Sequence, residues 1–407
     1  MLQYNSFNFF ANLFPLMLVA LPLYRFVRNI VFRRVLLTFV GLYLLWLIAP
    51  RLALFYLVFW LLAFGFQQLV AYTAEKKRGT VVFVAVLVLL LAPMVTWKVW
   101  TDPFVINFNL WSNQILLHLV HNVGAIDLFH QIILPLGLSF TTFRAIDMVV
   151  KTYLGEFEAL RIDEVFFYGF FPPVLLIGPV IQYTDIRKAV DPKVKTIVWD
   201  DLRAALLLIV SGLVKVFVIS YPLQNSADMF IYYRTNSVWR LWVELIAFAL
   251  YFFFNFSGYS DLAIGAAKIL GFDIQRNFNW PYTKTNPQDF WNSWHMSLTQ
   301  FFQRYVFVPF GGMRQKTQYR AIFLTIMAIA LWHDISIPLV VFGLYQAAGL
   351  IGHRWLRGKR PPPSPQPRAL TVAKASGQFM FFAFSLPLMV ISAHQIIPVY
   401  SALLGLQ

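Results

Sequence analysis

The chain has 407 residues, 59% hydrophobic, 18% aromatic and only 13% charged, and runs such as LALFYLVFWLLAFGFQQLVAYTA (52–74) hold no charge at all. This excludes an ordinary soluble domain and describes a polytopic membrane protein, in which about 20 apolar residues per helix cross a hydrocarbon layer about 30 Å thick. The formal net charge of +15 sits in short connections, RKAVDPKVK (187–195), RQKTQYR (314–320) and HRWLRGKR (353–360), which fits membrane topology and anionic lipid head groups and not nucleic acid, while the absence of cysteine excludes disulfides, thiolate zinc sites and an acyl-cysteine intermediate.

Apolar stretches near 7–24, 35–49, 52–72, 79–97, 131–150, 165–182, 203–221, 239–256, 290–308, 320–345 and 376–396 predict an all-α protein with about eleven transmembrane helices. The first, FNFFANLFPLMLVALPLY, is followed by Arg25, Arg28, Arg33 and Arg34, the opposite polarity to a secretory signal. An uncleaved helix with an extracytoplasmic N-terminus is expected, and Lys76, Lys77 and Arg78 after the third stretch agree with that orientation. LLHLVHNVGAIDLFH (116–130) is too polar to span and reads as an interfacial helix and turn. Its His118 and His121, three residues apart, suit the head-group level better than a metal face. In 165–182, Pro172-Pro173 and Gly178-Pro179 remove backbone donors that lipid does not replace, so a re-entrant segment buried in protein is expected. The polar segments are too short for a soluble domain, and RGKRPPPSPQPRALTVAK (357–374) reads as an extended, basic cytoplasmic loop.

Two histidines stand beside indoles within hydrophobic stretches: His295 in WNSWHMSL and His333, followed by Asp334, in ALWHDIS. Ionisable groups at membrane depth are costly and face a bundle interior or a wet cavity, which makes them functional candidates; the bland alternative is a satisfied core histidine packed by tryptophan. A further polar island, FFFNFSGYSDLAIGAAKILGFD (252–273), holds Asn255, Ser257, Tyr259, Ser260 and Asp261, with Gly258 and Gly265 permitting close backbone approach. It suits a substrate site or a packed helix kink.

Several motifs in this order resemble the membrane-bound O-acyltransferase (MBOAT) family. They are SGYSDLAIG (257–265), GFDIQRNFNWPY (271–282), DFWNSWHMSL (289–298), VFVPFGG (306–312), LWH (331–333) and GLY (343–345). Upstream, LPLGLSFTTFRAIDMVVKTYLGE (134–156) and PPVLLIGPVIQY (172–183) are similar too, so the resemblance covers roughly 130–350. It is to the bacterial branch of teichoic-acid D-alanyl transferases and of alginate and peptidoglycan O-acetylation proteins. FRAIDM and FWNSWHMSL look most like the D-alanyl transferases, SGYSDLAIG and VPFGG more like the acetylation proteins. The resemblance implies a ring of transmembrane helices around a central tunnel, as one membrane domain: N-terminal helices in 1–130, a core in 131–350, the proline-rich loop in 351–375 and a last helix in 376–407. It also implies that His333 corresponds to the catalytic histidine and His295 to the second family histidine. Gln303-Arg304 replaces the family's frequent Arg-Asp pair, Asn255 stands where Asp is frequent, and Asp334 where the acetylation proteins have Gly.

The chemistry implied is acyl transfer, D-alanyl or acetyl, from a cytoplasmic thioester to a hydroxyl of an extracytoplasmic envelope polymer or of a partner relay protein. The donor, an acyl-carrier protein's phosphopantetheine or acyl-coenzyme A, is a substrate, and neither a tightly bound cofactor nor a metal is expected. His333 is the expected general base. Asn292, Trp294, Ser297, Trp332, Asp334, Tyr259, Ser260 and Asp261 are expected to contact substrate. A serine acyl-enzyme is the rival route: on a helix Ser297 would point away from His295, whereas Ser336 lies three residues from His333. A transporter or channel also fits broken helices and intramembrane polar groups, although no second copy of SGYSD or of the Trp-His pair marks an internal repeat. A non-catalytic scaffold fits as well. The expected location is the bacterial inner membrane.

Overall fold

In lipid a helix satisfies its own backbone N–H and C=O groups within one segment, so long runs of Leu, Val, Phe and Ala have little alternative. A computed structural model of the chain describes residues 19–48, 50–101, 137–175, 177–187, 189–190, 199–223, 226, 233–235, 237–358 and 367–406. Among them every regular element is helical. Six helices among the described residues are long and apolar enough to cross a membrane: Ile30–Ile48, Pro50–Thr73, Gly79–Thr96, Trp199–Leu223, Val238–Ile269 and Arg368–Met389.

The all-helical membrane class is as expected, but the described residues do not reach eleven spans, and the reasons are local. Stretch 165–182 forms helix Ile162–Gly169 and one turn, Pro172–Val174, where the prolines stop the ladder. Its Phe170, Phe171, Val174, Leu175 and Ile181 are buried in protein. Stretch 290–308 is divided into Pro287–Trp291, Met296–Phe302 and a π-helical turn, Gln303–Phe307. Stretch 320–345 is a hairpin: Gln318–His333 ends at Asp334, which is extended at φ −165° and ψ 156°, and Ile337–Arg357 begins after Ser336 with Pro338 in its first turn. The start of the first stretch with its N-terminal orientation, His118 and His121, most of the 187–195 loop and the proline run at 361–363 lie outside the described residues.

The chain packs into two compact units, Met1–Leu207 with Ala263–Ile274 and Leu208–Leu262 with Gln275–Gln407. In the first, buried charges are paired: Arg34 with Asp163 at 3.0 Å and Glu164 at 3.1 Å, and Lys151 with Asp147 at 3.2 Å. The fully buried Arg144 donates to the Tyr168 carbonyl at 2.9 Å.

The second unit carries the chemistry, and a glycine crossing organises one side of it. A Cβ on Gly258 would stand 2.7 Å from Val216 Cγ2 and 2.9 Å from the Gly212 carbonyl oxygen, so the two backbones touch here. This lets the short side chains on either side of the crossing reach one another. Gly258→Leu is expected to lower stability by about 1–3 kcal/mol through overpacking, seen as a lower melting temperature in detergent. Gly65→Ala, at a position whose Cβ would meet nothing within 4 Å, is the control and should melt like the native protein.

Candidate functional site

Helix Pro287–Trp291 is started by Asn286, whose side chain accepts from the Asp289 N–H at 2.9 Å. Four residues later the chain reverses at His295, held at φ 42° and ψ 54° as the N-cap of Met296–Phe302. The left-handed region costs a non-glycine residue of order 1–3 kcal/mol, a strain that surrounding contacts must hold and that gathers at functional positions. The contacts are present. The Met296 N–H donates to the Asn277 carbonyl at 2.8 Å and the Asn279 N–H to the Ser293 carbonyl at 2.9 Å, stitching the 277–279 segment to the turn.

His295 is 2% exposed, with Nδ1 at 3.0 Å from Asn277 Oδ1. The Ser297 hydroxyl and backbone N–H donate to the same oxygen at 2.9 and 3.3 Å, and Asn277 Nδ2 donates to Ser260 Oγ at 3.2 Å. Phe256 stands edge-on to the imidazole at 4.6 Å, and the Trp332 ring lies 6.2 Å away with the His333 ring 4.5 Å beyond it. His295 lies outside the six candidate spans. Burial first, and the electrostatic influence of His333 second, push the pKa of its imidazole well below the usual histidine range, which favours the neutral ring.

Ser260 and Asn277 also wall a cavity of about 250 Å³ lined by Ser211, Lys215, Ser257, Asp261, Arg276 and the rings of Phe253, Phe254, Phe278 and Trp280. Lys215 is the second residue of the π-helical turn Val214–Ser220, an irregularity that favours functional positions. Its ammonium donates to Asp261 Oδ2 at 2.6 Å and Ser257 Oγ at 3.0 Å, while Ser211 Oγ donates to the same carboxylate oxygen at 3.0 Å. A second cavity of about 120 Å³ has a mixed lining. Ile322, Ile326 and Ile329 of helix Gln318–His333, with Trp291, make its apolar wall; Gln288, Asn292, Gln303 and Arg354 make its polar part. At 100° per residue, Ile322, Ile326, Ile329 and His333 share one helix face, with His333 about one turn past the last isoleucine of this wall.

The expected residues therefore divide. His295, Ser297 and Ser260 meet at Asn277; Trp332 stands between the two histidines; Asp261 lines the larger cavity and Asn292 the smaller. Tyr259 is on the same helix as Asp261 but lines neither. Trp294 is 5% exposed within a cluster of Phe252, Phe278, Tyr282, Phe290 and Phe382, 5.0 to 5.8 Å away, and packs the turn. Asp334 and Ser336 form the hairpin connection. The expectation that Ser297 points away from His295 is overturned, because the left-handed residue breaks the helical phase that it assumed. Ser336 shares no helix with His333, since Asp334 is extended and Ser336 caps the next helix. Asn277 and Lys215 were missed. The signals were an asparagine in RNFN (276–279) and a lone lysine in LLLIVSGLVKVFVIS (206–220). Among the described residues no group of three His, Asp or Glu side chains is placed to hold a metal.

The sequence profile of the membrane-bound O-acyltransferase family matches residues 155–393, which include both cavities and both histidines. The chain belongs to that family. It is similar to the probable alginate O-acetylase AlgI of Pseudomonas aeruginosa, 32% identical over 230 residues, 56% of this chain and 44% of that protein. It is also similar to the peptidoglycan O-acetyltransferase of Helicobacter pylori, 28% identical over 63% of this chain and 52% of the relative. The teichoic acid D-alanyltransferase of Bacillus subtilis is 29% identical over 54% of this chain and 58% of the relative. The chain thus matches about half the length of these curated MBOAT relatives.

The Lys215–Asp261 pair gives a direct test of the larger cavity. Lys215→Met should leave a carboxylate at a partly buried position without its cation and lower stability by about 1–3 kcal/mol, discounted from fully buried pairs because both side chains keep some solvent contact. Lys215→Met combined with Asp261→Asn should recover most of that loss in detergent melting.

Proposed function

We propose that this protein transfers an acyl group, D-alanyl or acetyl, from a thioester donor to a hydroxyl of an extracytoplasmic envelope polymer or of a relay protein that serves one. The observation that carries the reading is the cavity along helix Gln318–His333, whose isoleucine row lies on the same helix face as His333. From Ile322 to His333 is about 16 Å at 1.5 Å per residue. An extended pantetheine-like arm suits such a path: the apolar wall takes the chain, and Gln288, Gln303 and Arg354 suit its amides and phosphate. The names of the relatives support acetyl or D-alanyl as the group and an alginate, peptidoglycan or teichoic acid as the acceptor.

The acceptor oxygen attacks the thioester carbonyl carbon while His333 takes the hydroxyl proton. The tetrahedral oxyanion collapses, the C–S bond breaks, and the leaving sulfur takes the proton back from the imidazolium. No covalent enzyme intermediate is needed, and Ser297, whose proton is committed to Asn277, is not poised as a nucleophile. Asp334 stands beside the base, where it would tune the imidazole, hold the amine of an aminoacyl group or simply join the hairpin.

His333→Ala should reduce transfer by about two to four powers of ten while the purified protein stays folded; near-native turnover in that variant would remove His333 as the base. For the donor path, Arg354→Glu should raise the KM for a phosphate-bearing thioester and flatten its salt dependence, with a smaller effect on kcat. An unchanged KM would place the donor elsewhere.

A further inference from the structure

The Asn277 side chain is oriented by a group that has no choice of role. A backbone N–H only donates, so the carboxamide atom facing Ser297 N is the oxygen; turned over, the amide would set two donors against each other. The same oxygen faces His295 Nδ1 at 3.0 Å. An acceptor with no proton requires one from its partner, so Nδ1 carries the hydrogen. In a neutral imidazole Nε2 is then the lone-pair nitrogen. A flipped ring would set the carbon Cδ2 against the same oxygen and forfeit this hydrogen bond.

We propose that Asn277 is a positioning residue that selects the Nδ1–H tautomer of His295 and so makes Nε2 the accepting nitrogen of that ring. Its catalytic consequence rests on the acyl-transfer reading; the tautomer does not. The reacting hydroxyl gives its one proton to His333, so a bare Nε2 is there to accept from a different donor group of the bound substrate. Asn277 also lines the larger cavity beside Ser260 and Asp261, and its Nδ2 is held by Ser260.

Nitrogen-15 NMR of histidine-labelled protein in detergent tests this, with the His295 resonances assigned by difference against His295→Gln. The expected spectrum has a protonated Nδ1 and a bare Nε2 in the native protein; a protonated Nε2 overturns the proposal. Asn277→Asp keeps an acceptor oxygen and should keep the tautomer and most of kcat. Asn277→Leu removes it and should lower kcat by about 10–100-fold, the usual range for a partner that orients a functional histidine, with the acceptor KM little changed. If Asn277→Leu keeps both the native tautomer and native kcat, the proposal fails; if that variant does not fold, the native spectrum still decides. A native protein with the expected tautomer but no acyl transfer from any thioester would overturn the acyl-transfer reading and leave the tautomer assignment standing.

Discussion

One oxygen atom, Oδ1 of Asn277, is the point on which the site depends. Three donors converge on it: the His295 ring, the Ser297 hydroxyl and the Ser297 backbone N–H. Each is buried, and a buried polar group without a partner costs on the order of 1–3 kcal/mol. Losing that oxygen would therefore release several groups together, in a place where lipid and aromatic rings supply no substitute. The arrangement also holds the strained backbone of His295, since the turn and the asparagine segment are joined by main-chain bonds on both sides of it.

The same rule, that polar groups in an apolar medium must be satisfied from within the protein, explains the larger cavity. Lys215 and Asp261 sit on touching helices because Gly212 and Gly258 allow the backbones to meet. With bulkier residues the helices would part and the ion pair would lengthen or break, leaving charges that the surroundings do not solvate. Small residues here are thus a condition for charged ones. The smaller cavity follows the opposite logic. Its lining mixes an isoleucine row with polar groups that carry no ion pair among the described residues.

Class, family and both histidines were legible in the sequence because they are local signals: hydropathy, motif order, and imidazoles beside tryptophans. The breaks were harder to read. Asp334 and Ser336 hold two polar groups among apolar residues, which is as compatible with a polar patch on one long helix as with the hairpin that forms. Asn277 was invisible as a site residue because its importance lies in what it touches across 18 and 20 positions of chain, and one sequence carries no record of that. Trp294 misled for a related reason. An indole beside a histidine looks like a donor for substrate, yet Phe290 at 5.7 Å and Phe382 at 5.0 Å make it part of the wall.

The partners of that wall also set an order of assembly. Trp294 and Phe290 are backed by Phe382, and Tyr282 by Phe379, both from helix Arg368–Ser385, which is made long after the histidine turn. While the chain is still being synthesised, the turn therefore lacks its aromatic backing, and the strain at His295 has less to oppose its relaxation. Completion waits for the late helix to enter the membrane and dock. The strained turn is thus held in full only once helix Arg368–Ser385 has docked against its aromatic rings.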